Sequence, residues 1–261
     1  MESLELVHRD VSSAYYGMRE RTLQAYALAR NAAAALADGL ATKAEARFRY
    51  VDQAEADLDK VDREVDSAVA PALISASPTE AHELLAEMKM VIDLERIGDL
   101  LASVAGNART LGIRLDDEDA GELIRMSTIL ERMLIDAHGA FVASNVDRAV
   151  AVLRMDSEMD RRRNGLMIRH LEAPASSPHE SLYALFMAQS LERAADHVKN
   201  LAEETCHLVR GYTVRHLPLQ TDSPDEQMYF ELLQSQPTPG PRGSHTDLWE
   251  SKIPVLQSEG K

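Results

Sequence analysis

Apolar residues recur at helical spacing over long stretches of the first 211 residues, as along HELLAEMKMVIDLERIGD at 82–99. The breaks between these stretches carry residues that stop or start helices. Pro71 groups with Pro78 and Pro174 with Pro178, while Asp38-Gly39, the run from Gly112 to Asp119, and Ser144-Asn145 supply caps and turns. Six helices are predicted, at 4–37, 42–74, 78–111, 118–143, 146–172 and 178–211. Ser77-Pro78-Thr79-Glu80 and Ser177-Pro178-His179-Glu180 both read as capping boxes with proline at the first helical position. Each should open a long helix. After Gly211 the pattern dissolves: six of the ten prolines fall there, among Ser, Gln, Thr and Asp. Residues 212–261 are therefore expected to be a disordered tail, with MYFELL and DLWESKIPVL as short apolar runs inside it.

The punctuation occurs twice because the chain repeats. Sliding it by 97 residues lays 82–99 over HESLYALFMAQSLERAAD at 179–196, with eight of eighteen positions identical: His82/His179, Glu83/Glu180, Leu85/Leu182, Met90/Met187, Leu94/Leu191, Glu95/Glu192, Arg96/Arg193 and Asp99/Asp196. The preceding helices match more loosely at an offset of 98, KVDREVD facing EMDRRRN. The expected fold is all-α, a tandem repeat of two antiparallel three-helix bundles at 1–112 and 113–211, followed by the 212–261 tail.

Composition narrows the partners. Twenty-eight Lys and Arg stand against 43 Asp and Glu, a formal charge of −15, which repels a nucleic-acid backbone and anionic headgroups. No nucleic-acid partner is expected. A free-phosphate receptor is disfavoured too, since it needs converging cations or helix N-termini. Cations suit this surface better. Cys206 is the single cysteine, so no intrachain disulfide forms. The start MESLELVHRD lacks the apolar core of a signal peptide, and no run of 18 to 20 apolar residues exists to span a bilayer. A cytoplasmic location is expected, with membrane contact only through partners.

Within this acidic chain, Glu95 with Asp99 and Glu192 with Asp196 stand four apart, so each pair shares one helix face. Like charges so placed cost stability unless a cation rests between them. Magnesium, manganese or iron would be held by such oxygens. Glu192, Asp196, Asn200, Glu203 and His207 continue as an oxygen-rich stripe, whereas the first repeat offers Glu95, Asp99, Ser103, Gly106 and Thr110. The first metal site is thus expected to be the weaker. Asp59 and Asp62, or Asp156 and Asp160, on the preceding helices are further candidate ligands. The competing reading is a solvated acidic face. Glu204-Thr-Cys-His207 and Glu5-Leu-Val-His8 match only a fragment of di-iron bundles. No phosphate loop, nucleophile elbow, Cys-x-x-Cys pair or zinc-protease helix occurs, and no catalytic residue is assigned. Arg161-Arg162-Arg163 forms a local basic spot, expected to be solvated.

DLERIGD at 93–99 and SLERAADHVKNLAEE at 190–204, each ending a half of roughly 100 residues, resemble the duplicated signature of the PhoU family of phosphate-transport regulators. The resemblance covers about 1–211 and implies two three-helix bundles. It also implies iron, zinc or other divalent clusters on Glu95, Asp99, Glu192 and Asp196, and lowered phosphate import and signalling. The implied partners are the ATPase subunit of a phosphate ABC transporter, a phosphate-sensing histidine kinase and a second copy of the chain. Leu100 and Ser103, where the second motif has His197 and Asn200, depart from the duplicated pattern. The alternatives are a metal-dependent hydrolase or oxidase using the same carboxylates, and a scaffold whose charges are merely solvated.

Overall fold

The computed structural model describes residues 2–172 and 177–210, with side chains from Gly17 onward apart from Ile113 and Arg210. The tail expected at 212–261, and the side chains of Glu5 and His8, lie outside this range. Six helices make up the described chain: α1 (Glu2–Thr42), α2 (Glu45–Ser75), α3 (Pro78–Leu111), α4 (Asp117–Ala143), α5 (Val146–Glu172) and α6 (Pro178–Arg210). A single 3-10 turn at Gly112–Arg114 joins α3 to α4, and no strand occurs among the described residues. Every described helix lies within one compact unit, while the second unit, Asp222–Lys261, lies wholly outside the described residues.

The predicted start of α3 holds to the residue. Ser77 accepts from the Glu80 N–H and the Glu80 carboxylate accepts from the Ser77 N–H, closing the capping box. The expected break at Asp38-Gly39 does not end α1, which runs on to Thr42 and turns at Lys43 (φ 57°). The reason is packing. A Cβ on Gly39 would sit 2.8 Å from the Phe48 ring, so this glycine lets α2 approach α1 closely and does not stop the helix.

Helices α1, α2 and α3 pack on one another, as do α4, α5 and α6, and the halves join through α1 against α4 and α3 against α6. Both joints run antiparallel. Tyr26 meets His138 and Phe141 across the first, and Lys89 reaches Glu204 and His197 reaches Asp93 across the second. Helices α2 and α5 are left outside, each packed only on its own half.

The repeat registers are visible in the core. Buried Phe48, Val51, Ala54, Val61 and Ala72 of α2 have buried counterparts 98 residues on, in Val146, Ala149, Val152, Met159 and His170. Buried Met90, Val91, Leu94, Ile97, Leu101 and Val104 of α3 map 97 residues on to buried Met187, Ala188, Leu191, Ala194, Val198 and Leu201 of α6. The exceptions to this mapping define the differences between the halves, and several carry charge.

Candidate functional site

The first acidic face lies between α2 and α3. Glu95 and Asp99 project from α3 beside Glu55, Asp59 and Asp62 of α2, all half-buried. Burial, then the Asp99 charge and those of Asp62 and Asp59, hold the Glu95 carboxyl above its ordinary range against the pull of Arg96. Glu55 is raised by burial and by Asp59, Asp99 and Asp52, and Asp62 by burial and by Asp66 and Asp59. The counter-charges here sit on the outside. Arg96 spans Glu95 (3.4 Å) and Asp99 (3.2 Å), and Arg63 pairs with Asp59 at 2.7 Å, with both guanidinium side chains more than half exposed.

The second acidic face, between α5 and α6, joins Asp156 and Asp160 to Glu192 and Asp196. Burial, then Asp196 and Asp160, push Glu192 up against the opposing charge of Arg163. Asp196 is exposed as a whole residue, yet desolvation of its carboxyl and then Asp156 and Asp160 raise it, partly offset by Lys199 and His197. Two cations are built into this face: Lys199 donates to Asp156 at 2.6 Å, and Arg163 reaches Asp160 at 3.3 Å and Glu192 at 3.5 Å.

The expected five-residue stripe on α6 splits between two neighbours. Glu192 and Asp196 turn to α5, but Asn200 donates to Asp93 of α3 at 3.2 Å, next to His197 at 2.8 Å from the same oxygen. His207 lies 3.6 Å from Glu204 and edge-on to His82, 5.0 Å between ring centres. Glu203 is buried and contributes to the field around Lys199. Steps of 4, 4, 3 and 4 wander across a boundary between two contact faces, and in a helix packed on both sides each face needs its own register. Among the described residues, no three Asp, Glu, His or Cys side chains are arranged around one point as a metal site. The donor chemistry of the first face nonetheless fits a hard cation: five carboxylates that repel one another, with their guanidiniums at the rim. The second face fits less well, because Lys199 and Arg163 already neutralise it.

Sequence reasoning missed Glu55, Asp93, Lys199 and Arg163. A signal for Lys199 was present, since it stands three residues after Asp196 and seven after Glu192 and so shares their face. Of the basic run, only Arg162 and Arg163 were misjudged. Arg162 bridges Glu158 at 2.9 Å and Glu122 at 3.2 Å, and Arg163 turns in toward α6.

Comparison with known proteins settles the family. The PhoU domain model matches twice, over residues 22–108 and 123–205, once per half. The chain belongs to the PhoU family. Both PhoU domains contain their own Glu-Arg-x-x-Asp motif, at 95–99 and 192–196. Among the similar relatives are a phosphate-specific transport system accessory protein PhoU homolog of Pseudomonas aeruginosa, 28% identical over 172 residues (62% of this chain, 69% of that one), and the Escherichia coli K12 accessory protein PhoU, 28% identical over 162 residues (59% and 66%). The crystal structure of PhoU from Pseudomonas aeruginosa superposes with a TM-score of 0.63 at 26% identity, covering 80% of this chain and 99% of that one. The PhoU from Streptococcus pneumoniae, at 20% identity and a TM-score of 0.69, covers 78% of this chain and 99% of that one and shares the fold.

Proposed function

We propose that this PhoU-family chain is an accessory regulator that restrains phosphate uptake when phosphate is plentiful. It works by helix-surface contact on the ATPase subunit of a phosphate ABC transporter and on a phosphate-sensing histidine kinase, at the cytoplasmic side of the membrane. The observation that carries this reading is the family match over both halves, together with relatives named as accessory proteins of the phosphate-specific transport system. No helix among the described residues is long and apolar enough to cross a membrane, so contact with a transporter falls to helix surfaces. Those surfaces carry exposed Leu85 and Ile92 on α3 and Leu182 and Phe186 on α6, set among charges as a partner-binding face would require.

The first acidic face has a supporting role in this reading. Glu95 and Asp99, with Glu55, Asp59 and Asp62, would hold a divalent cation. When bound, that ion supplies between the helices the positive charge that Arg96 and Arg63 supply only at the rim. Repulsion across the α2–α3 boundary then becomes attraction, which fixes the outer helix on the inner one. No bond of a substrate is made or broken.

Affinity purification of the tagged chain from phosphate-replete cells of its own host tests the contact. The transporter's ATPase subunit should co-purify, and charge substitutions at Leu85 and Ile92 should reduce its yield. Recovery of the chain without the ATPase subunit would overturn the proposal.

A further inference from the structure

The two halves answer the same electrostatic problem differently. At the offset of 98, core Leu58 and Val65 of α2 correspond to Asp156 and Arg163 of α5, and at the offset of 97, Ala102 of α3 corresponds to Lys199 of α6. Three apolar positions of the first half are thus three charged positions of the second. They are also paired: Lys199 with Asp156 at 2.6 Å, and Arg163 with Glu192 at 3.5 Å and Asp160 at 3.3 Å. Gln189 braces this arrangement, accepting from Arg163 at 3.3 Å and donating to Glu192 at 2.6 Å.

We propose that Lys199 and Arg163 are the resident cations of the second acidic face, so that a divalent cation is taken by the first face in preference to the second. This rests on reading the acidic faces as cation sites and is independent of the transport role.

Position and burial support the assignment. The side chains of Lys199 and Arg163 are 30% and 24% exposed, against 57% and 66% for Arg96 and Arg63 of the first face. A rim guanidinium swings into water when an ion arrives, whereas a cation lodged between helices must first break pairs made out of bulk solvent. Desolvation works against the Lys199 charge, but the Asp156 hydrogen bond and the charges of Asp156, Asp196 and Glu203 more than offset it. The donor count points the same way. Glu55, Asp59 and Asp62 of α2 correspond to Leu153, Ser157 and Asp160 of α5, so the outer helix of the second half keeps one of three carboxylates and adds only the lysine-bound Asp156. The stripe expected to make the second face the stronger site does not compensate, since Asn200 and His207 face α3.

Mn²⁺ titration of the full-length chain, with bound metal counted after equilibrium dialysis, tests this. Asp99→Asn should lose most of the Mn²⁺ bound by the wild type, and Asp196→Asn should retain most of it. Lys199→Met should gain binding, with half-saturation of the second face lowered about tenfold or more by removal of one adjacent positive charge. Lys199→Arg, which keeps the charge, should match the wild type. Arg163→Gln provides a second gain-of-binding variant should Lys199→Met fail to fold, with helical content checked by circular dichroism for each. Wild type that binds no Mn²⁺ overturns the proposal, whatever Lys199→Met binds, because the first face then takes no cation. Equal loss in Asp99→Asn and Asp196→Asn overturns it too. So does a Lys199→Met or Arg163→Gln protein, folded, that binds no more than wild type.

Discussion

Glu87 shows how one residue can set a pH dependence. It is 1% exposed on α3, where the repeat puts Ala184 in the other half, and its nearest counter-charge is the Arg19 guanidinium at 3.6 Å. That guanidinium also lies 4.7 Å from the centre of the Phe141 ring, and one Glu87 oxygen has no hydrogen-bond partner. Burial outweighs Arg19 and pushes the carboxyl up from 4.5 to about 7. A raised carboxyl means that the folded state binds the proton more tightly. Its contribution is therefore fully present below the unfolded value and is lost as pH rises through about 7. Glu87→Gln should be more stable than wild type at pH 8, by an amount on the order of 3 kcal/mol, and the difference should vanish toward pH 4; denaturant melts at both pH values check it. Gly98 offers a second test, since a Cβ there would stand 2.7 Å from Leu58 Cδ1. The second half places Ala195 opposite the shorter Asp156. Gly98→Ala should cost about 1–3 kcal/mol through overpacking, and Leu58→Ala in the same chain should recover part of it, a coupling that a double-mutant cycle reads directly.

At the scale of elements, the helices follow from local chemistry. The capping box at Ser77 starts α3, and Ser77→Ala should lower stability by about 1 kcal/mol, measurable as a shift in Tm. Asp116 caps α4 through its side chain alone, accepting from the Glu118 and Asp119 N–H groups. These starts were legible because a cap and its partner lie three residues apart in the chain. Gly39 was misread because its role is set by Phe48 of a different helix, which local sequence does not reveal. The acidic pairs were legible for the same reason as the caps, four residues being one helical turn. How α6 divides between α5 and α3 was not, because a helix buried on two sides carries two stripes, and only the packing says where one yields to the other. Hence Asn200 and His207 were grouped with Glu192 and Asp196 although they contact different helices.

In the whole molecule, inner helices α1, α3, α4 and α6 join the halves, while outer helices α2 and α5 each carry half of an acidic face. The duplication made this architecture readable, since the same Ser-Pro-x-Glu sequence, motif and core spacing recur in both halves. The joint itself was not, because Asp93 with His197 and Lys89 with Glu204 pair residues 104 and 115 apart with no repeat relation between them. Regulation by contact requires the molecule to be present and to touch its partners, and requires no turnover. The most direct test is the rate of radiolabelled phosphate uptake in phosphate-rich medium by cells lacking this chain, with and without the gene restored. Uptake should rise on deletion and return to the original rate on restoration. Uptake unchanged by deletion would contradict the account.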